Sequence, residues 1–318
     1  MGKNIDKRDI AILWELFNNS RQPLTTIAEK VKIPKETVKY RVEQLMKSGV
    51  LNKTYAIVNS AKFGLTFYEI YIKLQGIPAG EEKKYIDALK EHPLNCWLIT
   101  TSGEYKLSTT FLAKKPEQFY ECYNYVRSLF GRYAKEITVL FGAEAQQFEY
   151  PFFKNFKRLP IKTATHAHEP SKLEKTDIDI LKILTENSRT PLNEISRKVK
   201  TTEATVRSRI KWLEKNDYIL QYTALLHPGR SGYFFYLMLI RLEVPSTKIE
   251  TYIKEIPEIF YLVKTVGPFN FKVEFYVKSE QRIHEIEDQL YREFPEKIQH
   301  TEILHVKKEH AVRYFVDA

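Results

Sequence analysis

The apolar positions of this chain follow two spacings, and the same succession of spacings occurs twice. In residues 9–58, apolar residues recur at helical spacing in three short runs, and an extended run without glycine or proline follows. From residue 65 onward, strand-like runs alternate with amphipathic helical runs. The second half repeats this order, and residues 9–74 align with residues 177–242 at a constant offset of 168 positions without a gap. The pattern indicates an internal duplication of a unit of about 150 residues.

Each copy begins with a segment that predicts three short helices. An apolar stripe over residues 10–17 predicts the first helix, and Asp6 precedes it as the predicted cap. Pro23 and Pro191 are expected at the first position of the second helix, because a missing N–H donor costs nothing there. In the second copy, Thr190 is the expected N-cap.

The third helix has a buried stripe spaced i, i+4, i+7 and a cationic opposite face. The stripe consists of Val38, Val42 and Leu45 in the first copy and of Val206, Ile210 and Leu213 in the second. Three helices with a tight turn before the last predict a helix-turn-helix, whose final helix can enter the major groove of DNA. Residues 52–58 and 220–226 are expected to form extended wings.

The exposed faces of these segments supply the predicted DNA-binding residues. They are Lys35, Lys39, Tyr40, Lys47 and Lys53 in the first copy and Thr202, Arg207, Ser208, Lys211 and Lys215 in the second. Arg21 and Arg41 recur as Arg189 and Arg209. These four arginines suit either phosphate contacts or ion pairs within one helix-turn-helix segment, and both roles stay open at this point.

The two copies differ where bases would be read. The unlike pairs are Lys35 and Glu203, Glu36 and Ala204, Lys39 and Arg207, Tyr40 and Ser208, and Glu43 and Lys211. Side chains of unlike charge and shape prefer different base edges. The sequence therefore predicts an asymmetric operator with two unlike half-sites.

The net charge of +10 is concentrated in the predicted helix-turn-helix segments and in the residues between the halves. Residues 1–58 carry +5, residues 171–226 carry +3 and residues 151–170 carry +3, whereas residues 59–150 carry 0 and residues 227–318 carry −1. Basic helix-turn-helix segments beside near-neutral segments indicate that a polyanion binds to the helix-turn-helix segments. The affinity for such a partner arises because neutralised phosphates release counterions.

Composition narrows the class of protein further. Apolar residues make up 43% of the chain and there are only 11 glycines and 14 prolines, which is typical of a well-packed protein. The longest apolar run, residues 233–240, is too short to span a bilayer, and residues 1–9 lack a signal-peptide core, so we expect a cytoplasmic location. Cys96 and Cys122 have no CxxC spacing and are expected as buried free thiols.

The repeated residues resemble the N-terminal head of the Lrp/AsnC, or feast/famine, transcription regulators. The resemblance lies in Asn-Ser-Arg, then Ile-Ala or Ile-Ser, then Thr-Val, Arg, Leu and Lys, and a hydrophobic wing. The rest of each half reads in the βαββαβ order of that family's effector-binding and dimerisation domain. The expected strands are 65–74 and 233–244, pairs of strands around Gly103 and Gly267, and last strands from near Ala134 and Gln299, and the expected helices are 81–91, 117–130, 246–255 and 280–294.

The resemblance implies an α+β chain with two winged helix-turn-helix heads and two ferredoxin-like βαββαβ domains arranged as a pseudo-dimer. The expected heads are residues 1–58 and 173–226, the expected sheet domains are residues 59–150 and 227–318, and residues 151–172 are an expected basic linker. Family members normally carry one head per chain and dimerise, so the two sheets are expected to pair within the chain, and pairing between chains stays open. The implied partner is double-stranded promoter DNA, without a cofactor or a membrane.

The resemblance also implies a small-molecule effector site at the turn between the second and third strands. Its candidates are Ser102, Gly103, Tyr105 and Lys106 in the first copy and Gly267, Phe269 and Asn270 in the second. In the family this turn commonly reads Gly-x-Tyr-Asp, but Lys106 and Asn270 replace the acidic residue here. The departure argues against an amino-acid effector and leaves open both another ligand and a tight turn without any ligand.

Two other functions fit parts of the sequence. Siroheme decarboxylases share this architecture, and such an enzyme would need paired His and Arg side chains in the sheet domains. The second half offers His284, His300, His305 and His310, whereas the first sheet domain has only His92, so we predict that the chain is not an enzyme. The second alternative is a non-specific architectural DNA-binding protein, but the exposed Glu, Tyr and Ser side chains of the third helices favour selective binding.

The residues between the halves carry two further candidates. His166 and His168 lack supporting ligands, so no metal site is predicted. The basic residues of this segment are a candidate arm that touches DNA between the heads, and they are Lys154, Lys157, Arg158 and Lys162.

Overall fold

The structure is a computed structural model that describes residues 5–78, 80–153, 156 and 173–313. These residues form two compact units. One contains Met1–Lys62 and Phe152–Tyr233, and the other contains Phe63–Pro151 and Phe234–Ala318. Two predictions for the segment between the halves concern residues outside the described ones. These residues are His166, His168, Lys154, Lys157, Arg158 and Lys162. No helix in the described part of the chain is long and apolar enough to cross a membrane.

The two halves contain the same elements in the same order. The first half has α1 (Lys7–Asn18), α2 (Leu24–Val31), α3 (Lys35–Lys47), β1 (Leu51–Val58), β2 (Thr66–Leu74), α4 (Glu82–Glu91), β3 (Asn95–Ser102), β4 (Leu107–Ala113), α5 (Pro116–Phe130) and β5 (Ala134–Gln147). The second half has α6 (Lys175–Glu186), α7 (Leu192–Lys198), α8 (Glu203–Lys215), β6 (Ile219–Leu226), β7 (Phe234–Leu242), α9 (Thr247–Glu255), β8 (Ile259–Val266), β9 (Phe271–Val277), α10 (Glu280–Glu293) and β10 (Ile298–Val312). The predicted strands and helices of the sheet domains are confirmed with bounds that differ by at most two residues.

The first unit contains the two predicted helix-turn-helix heads. Asp6 caps α1 through a capping box with Asp9, as its position predicted. In each third helix the middle of the predicted stripe is the least deeply buried position, and its ends, such as Val38 and Leu45, are fully buried. The α+β prediction of two heads is therefore confirmed.

The starts of the second helices differ from the expectation by one residue. Pro23 and Pro191 are the N-caps of α2 and α7, and they have extended backbone with ψ of 148° and 150°. The fixed φ of proline suits that extended conformation as well as it suits the first helical position. Thr190 does not cap α7, since its hydroxyl donates to the carbonyl oxygen of Asn187 at 2.8 Å.

The predicted wings are single strands, and they pair with each other. β1 and β6 form a two-stranded antiparallel sheet in which Tyr55 lies opposite Thr223. A strand leaves its backbone hydrogen-bonding groups without partners in its own segment. Each head therefore completes the wing of the other.

Part of the expected linker is packed on the first head. The ring of Trp14 on α1 lies 5.1 Å from the ring of Phe153 and 5.0 Å from the ring of Phe156. Phe153 is buried by this contact. The start of the segment between the halves is therefore packed on the first head.

The second unit is a closed eight-stranded barrel with strand order β10-β3-β4-β2-β5-β8-β9-β7. Each half supplies four strands, and the antiparallel ladders β5–β8 and β3–β10 join the two halves. Helices α4 and α5 cover the outer face of the first sheet, and α9 and α10 cover the outer face of the second. A third apolar cluster, which includes Tyr71, Leu140 and Leu237, fills the space between the sheets. The predicted intrachain pairing of the sheet domains is confirmed.

Candidate nucleic-acid interface

The outer face of α3 presents the predicted reading residues of the first head to solvent. Buried Val38 and Leu45 hold the opposite side of the helix against the head. Lys35, Lys39 and Lys47 are exposed, and Tyr40 is 61% exposed. An exposed aromatic ring among lysines can contact base edges or sugars while the lysines contact phosphates.

Helix α8 presents the corresponding face of the second head, with different chemistry. Its hydrophobic side is buried through Val206, Ile210 and Leu213. The predicted residues on the opposite side are all exposed, and they are Thr202, Arg207, Ser208, Lys211 and Lys215. The hydroxyl of Thr202 also accepts a hydrogen bond from the backbone N–H of Thr205 at 3.1 Å and so caps the helix. Thr202 thus has a structural role besides the predicted contact with DNA.

Arg41 and Arg209 form ion pairs inside their own heads. The guanidinium of Arg41 lies 2.8 Å from carboxylate oxygens of Asp6 and of buried Asp9. Arg209 makes the equivalent contacts with Asp177 and, at 3.3 Å, with Glu174. The hydrogen bonds to these carboxylates raise the pKa of both arginines. The sequence left open a phosphate contact and an ion pair within the head. The structure provides the ion-pair partners for both arginines.

Arg21 and Arg189 each bind the backbone of the opposite head. Arg21 donates to the carbonyl oxygen of Ser188 and, at 3.2 Å, to that of Thr190. Arg189 donates to the carbonyl oxygens of Ser20 at 2.6 Å and of Gln22 at 2.9 Å. Burial and the nearby charge of Arg21 lower the pKa of Arg189. These arginines therefore join the two heads, a role that neither sequence alternative included.

The contacts between the heads are reciprocal. The N–H of Ser20 donates to the carbonyl of Tyr222 at 3.1 Å, and the N–H of Ser188 donates to the carbonyl of Thr54 at 3.0 Å. The offset of 168 converts each of these bonds into the other. Such an isologous interface is the signature of a two-fold axis. The two third helices are consequently presented by heads related by a pseudo-two-fold axis.

Lys53, the predicted DNA contact in the first wing, forms an ion pair across this interface. Its ammonium lies 3.3 Å from a carboxylate oxygen of Glu186, at the end of α6. The side chain of Glu186 is largely exposed, so the pair is accessible to solvent. A contact of Lys53 with DNA stays a prediction.

The predicted effector residues lie at the two turns that join β3 to β4 and β8 to β9. Tyr105 is buried and shares a hydrogen bond of 2.9 Å with Thr138, while the ammonium of Lys106 donates to the carbonyl of Gly103 at 2.6 Å. In the second copy Phe269 is buried, and the side-chain oxygen of Asn270 accepts a hydrogen bond from the N–H of Leu242 at 2.7 Å. Ser102 ends β3 next to the first turn. An effector role for these residues stays a prediction.

Both turn glycines are held against the last strand of the other sheet. Gly103 has φ of +123°, and a Cβ there would lie 3.0 Å from the carbonyl oxygen of Ile303. Gly267 has φ of +144°, and a Cβ there would lie 2.8 Å from the carbonyl oxygen of Val139. The positive φ and the close approach together require glycine at these positions. The turns therefore contribute to the contact between the sheets.

The histidines considered for a porphyrin site have separate environments. His92 packs against Phe111, and burial lowers its pKa. His305 stacks on Tyr236, and His310 shares a hydrogen bond of 3.1 Å with Thr100. His284 and His300 are exposed beside glutamates. Within the described residues, no group of three or more His, Cys, Asp or Glu side chains could hold a metal ion, and Cys96 and Cys122 are buried free thiols as predicted.

Comparison with known proteins identifies the repeated heads. A family model described as winged helix-turn-helix DNA-binding matches residues 5–52 and 173–219. An uncharacterized HTH-type transcriptional regulator of Pyrococcus abyssi is 32% identical over 138 residues, which cover 42% of this chain and 90% of that protein. A second uncharacterized HTH-type transcriptional regulator, from Pyrococcus horikoshii, is 31% identical over 146 residues, which cover 45% of this chain and 97% of that protein.

Comparison of structures extends the likeness to nearly the whole chain. The crystal structure of the siroheme decarboxylase NirDL matches with a TM-score of 0.63 over 97% of this chain and 94% of that chain. The sequence identity in this match is 15%, so the likeness concerns the fold alone. The tandem arrangement of heads and sheet domains thus occurs in a solved protein.

Proposed function

Because the chain belongs to the Lrp/AsnC family of HTH-type transcriptional regulators, we propose that it regulates transcription by reading two unlike half-sites in double-stranded DNA. The observation that supports this most directly is the pair of exposed third helices. Both faces carry cations that can neutralise phosphates. Their remaining side chains differ in charge and shape, which gives each head its own preference among base edges.

The arrangement of the heads fits inverted half-sites. An isologous pair of heads presents equivalent surfaces in opposite directions, as the dimers of helix-turn-helix regulators do. Half-sites in such dimers are separated by about 10 bp or a multiple of it. We therefore propose an operator whose half-sites have inverted orientation and different sequences. Such a protein would act in the cytoplasm.

Selection of binding sites from random duplex DNA tests this proposal. The full-length chain is incubated with the library at two salt concentrations, and the bound duplexes are sequenced. We expect a motif with two unlike inverted half-sites, bound more weakly at the higher salt concentration. A palindromic motif contradicts the unlike half-sites. Salt-sensitive binding without a motif contradicts specific regulation and supports an architectural role.

The siroheme-decarboxylase alternative has less support. Its argument is a fold shared at 15% identity, and the family relatives are named as regulators. We propose the turns around Gly103 and Gly267 of the sheet domains as the site of a small-molecule effector. Absence of DNA binding at both salt concentrations, together with decarboxylation of siroheme by the purified chain, would reverse this assignment.

A further inference from the structure

The space between the two sheets contains an ionic network. The ammonium of Lys272 lies 3.0 Å from a carboxylate oxygen of Glu69 and 3.2 Å from one of Glu274. The hydroxyl of Tyr71 donates to the second carboxylate oxygen of Glu69 at 2.6 Å. All four residues are buried, and Glu274 is the most exposed of them at 7%. Burial of charged groups is tolerated only when they are paired and hydrogen-bonded.

The network joins one sheet domain to the other. Glu69 and Tyr71 lie on β2 of the first domain, and Lys272 and Glu274 lie on β9 of the second. In the barrel, β5 and β8 separate these two strands. The bond between Glu69 and Lys272 therefore crosses the interior, where Lys272 also lies 4.6 Å from the ring of Trp97 on β3. Glu69 and Trp97, which Lys272 contacts across the interior, both belong to the first domain.

Neither domain repeats the charged interior residues of the other. At the repeat offset of 168, Glu69 corresponds to Leu237. The turn glycines Gly103 and Gly267 align β4 with β9 at an offset of 164, so Lys272 corresponds to Ser108 and Glu274 to Thr110. The strand ladders agree with this alignment, because Glu69 lies opposite Thr110 and Leu237 lies opposite Glu274. The two domains thus share a fold but have unlike interior faces.

We propose that this network determines which sheet domains pair: the interior face of the first domain fits the second domain and rejects a second copy of itself. A barrel closed by two first domains would bury two Glu69 carboxylates opposite hydroxyl groups, without an ammonium. A barrel closed by two second domains would bury two Lys272 ammonium groups that keep Glu274 beside them but face Leu237 in place of Glu69. A buried charge that loses its partner is strongly unfavourable, and such penalties select partners.

Cysteine pairs can report which domains have paired. In the native barrel Phe141 lies opposite Val266, and Ser102 lies opposite His305. Pairing of two first domains would instead bring Phe141 of one chain opposite Ser102 of another. Opposed residues in antiparallel strands have Cα atoms about 4.5–5.5 Å apart, within the range of a disulfide. The double variant Phe141→Cys, Ser102→Cys therefore forms an interchain disulfide on like-with-like pairing, whereas Phe141→Cys, Val266→Cys reports the native pairing.

The first experiment compares three interiors in the full-length chain carrying the Phe141→Cys, Ser102→Cys pair. They are the native interior, a neutral interior with Glu69→Leu, Lys272→Met and Glu274→Leu, and a charge-swapped interior with Glu69→Lys and Lys272→Glu. Each chain is unfolded in urea, refolded at several concentrations and oxidised, and the disulfide-linked dimer is quantified on a non-reducing gel. We expect at least tenfold more dimer from the neutral interior than from the other two. Equal amounts from the native and neutral interiors would overturn the proposal.

A second experiment does not depend on the folding of the neutral variant. It uses one chain with Glu69→Lys alone and another with Lys272→Glu alone, so that each chain faces like charges in its own barrel. Refolded together, the two chains can exchange sheet domains and restore one Lys-Glu pair in each of two barrels. We expect a one-to-one dimer from the mixture, measured by light scattering and mass spectrometry, and none from either chain alone. A mixture that behaves as the sum of its separate chains would contradict the proposal.

Discussion

The hydroxyl oxygens of Ser20 and Ser188 lie 2.6 Å apart and share a buried hydrogen bond, although 168 residues separate them in the chain. The same offset relates the two copies of the repeat, so each serine contacts its own counterpart. A residue can contact its counterpart only at a two-fold axis. Tyr55 and Thr223, which also differ by 168, lie opposite each other in the β1–β6 ladder. The pseudo-two-fold axis of the heads therefore passes through both pairs.

The serine pair predicts a non-additive effect on stability. Ser20→Ala leaves the hydroxyl of Ser188 buried without this partner, which should lower the free energy of unfolding by about 1–3 kcal/mol. The double variant Ser20→Ala, Ser188→Ala removes both hydroxyls, so it should cost less than the sum of the single variants. Urea unfolding of the four chains measures the coupling. Strict additivity would show that the hydrogen bond does not contribute.

Arginines at the head interface and lysines on the third helices should respond differently to substitution. Arg189→Ala removes hydrogen bonds to two carbonyl groups of the other head and should lower the free energy of unfolding by about 2 kcal/mol or more. Lys211→Ala, on the exposed face of α8, should change it by less than about 0.5 kcal/mol. If Lys211 contacts a phosphate, its loss should reduce the salt dependence of DNA affinity by about one ion. Unfolding curves and binding titrations at several salt concentrations separate the two roles.

Exchange of the reading residues should change the symmetry of the operator. A chain in which α3 carries Lys35→Glu, Glu36→Ala, Lys39→Arg, Tyr40→Ser and Glu43→Lys has the reading residues of α8 on both heads. These positions are exposed, so the change should leave the fold intact. Selection from random duplexes should then yield a palindrome built from one of the native half-sites. An unchanged asymmetric motif would show that specificity arises elsewhere, for example in DNA shape.

The buried Glu274 predicts a pH dependence of stability. Burial, opposed by Lys272 and assisted by Glu309, raises the pKa of this carboxyl from 4.5 to about 7. Between pH 4.5 and about pH 7 the folded chain therefore binds more protons than the unfolded chain. The contribution of Glu274 to the free energy of unfolding falls as pH rises through this range. The loss should be on the order of 3 kcal/mol. Unfolding measured from pH 5 to pH 8 should show a smaller decline for Glu274→Gln than for the native chain, and identical slopes would refute the assignment.

Substitution of two glycines with positive φ should cost different amounts of stability. One substitution strains only the backbone, and the other also causes a steric clash. Gly64→Ala places a side chain at a φ of +69° with open space around it, which should cost about 1 kcal/mol. Gly103→Ala adds a collision with Ile303 and Leu304 of the other sheet, where the nearest atom would lie at 2.8 Å. It should therefore destabilise the chain by about 1–3 kcal/mol more than Gly64→Ala. Equal losses in thermal or urea unfolding would show that the barrel yields at this contact.

The sequence alone determined the repeat, the helices and the faces that they bury. These features depend on interactions between residues close in the chain, such as the cap of Asp6 and the helical spacing of Val38 and Leu45. The exposed positions of Lys39 and Arg207 follow from the same spacing. Local periodicity therefore sufficed for the heads, whereas the ferredoxin-like domains were predicted from the order of strands and helices together with the resemblance to the Lrp/AsnC family.

Only the tertiary structure decided which strands and side chains meet. A strand such as β1 can pair with any partner, and its own residues do not specify β6. The sequence left Arg21 with two roles, a phosphate contact or an ion pair within its own head, and only the structure shows that it donates to carbonyl groups of the other head. Glu69 follows the alternation of a half-exposed strand, and closure of the barrel then buries both faces of β2. The physical reason is the same for β1, Arg21 and Glu69. A partner that is distant in the chain does not affect the local spacing of apolar and polar residues, so that spacing does not predict it.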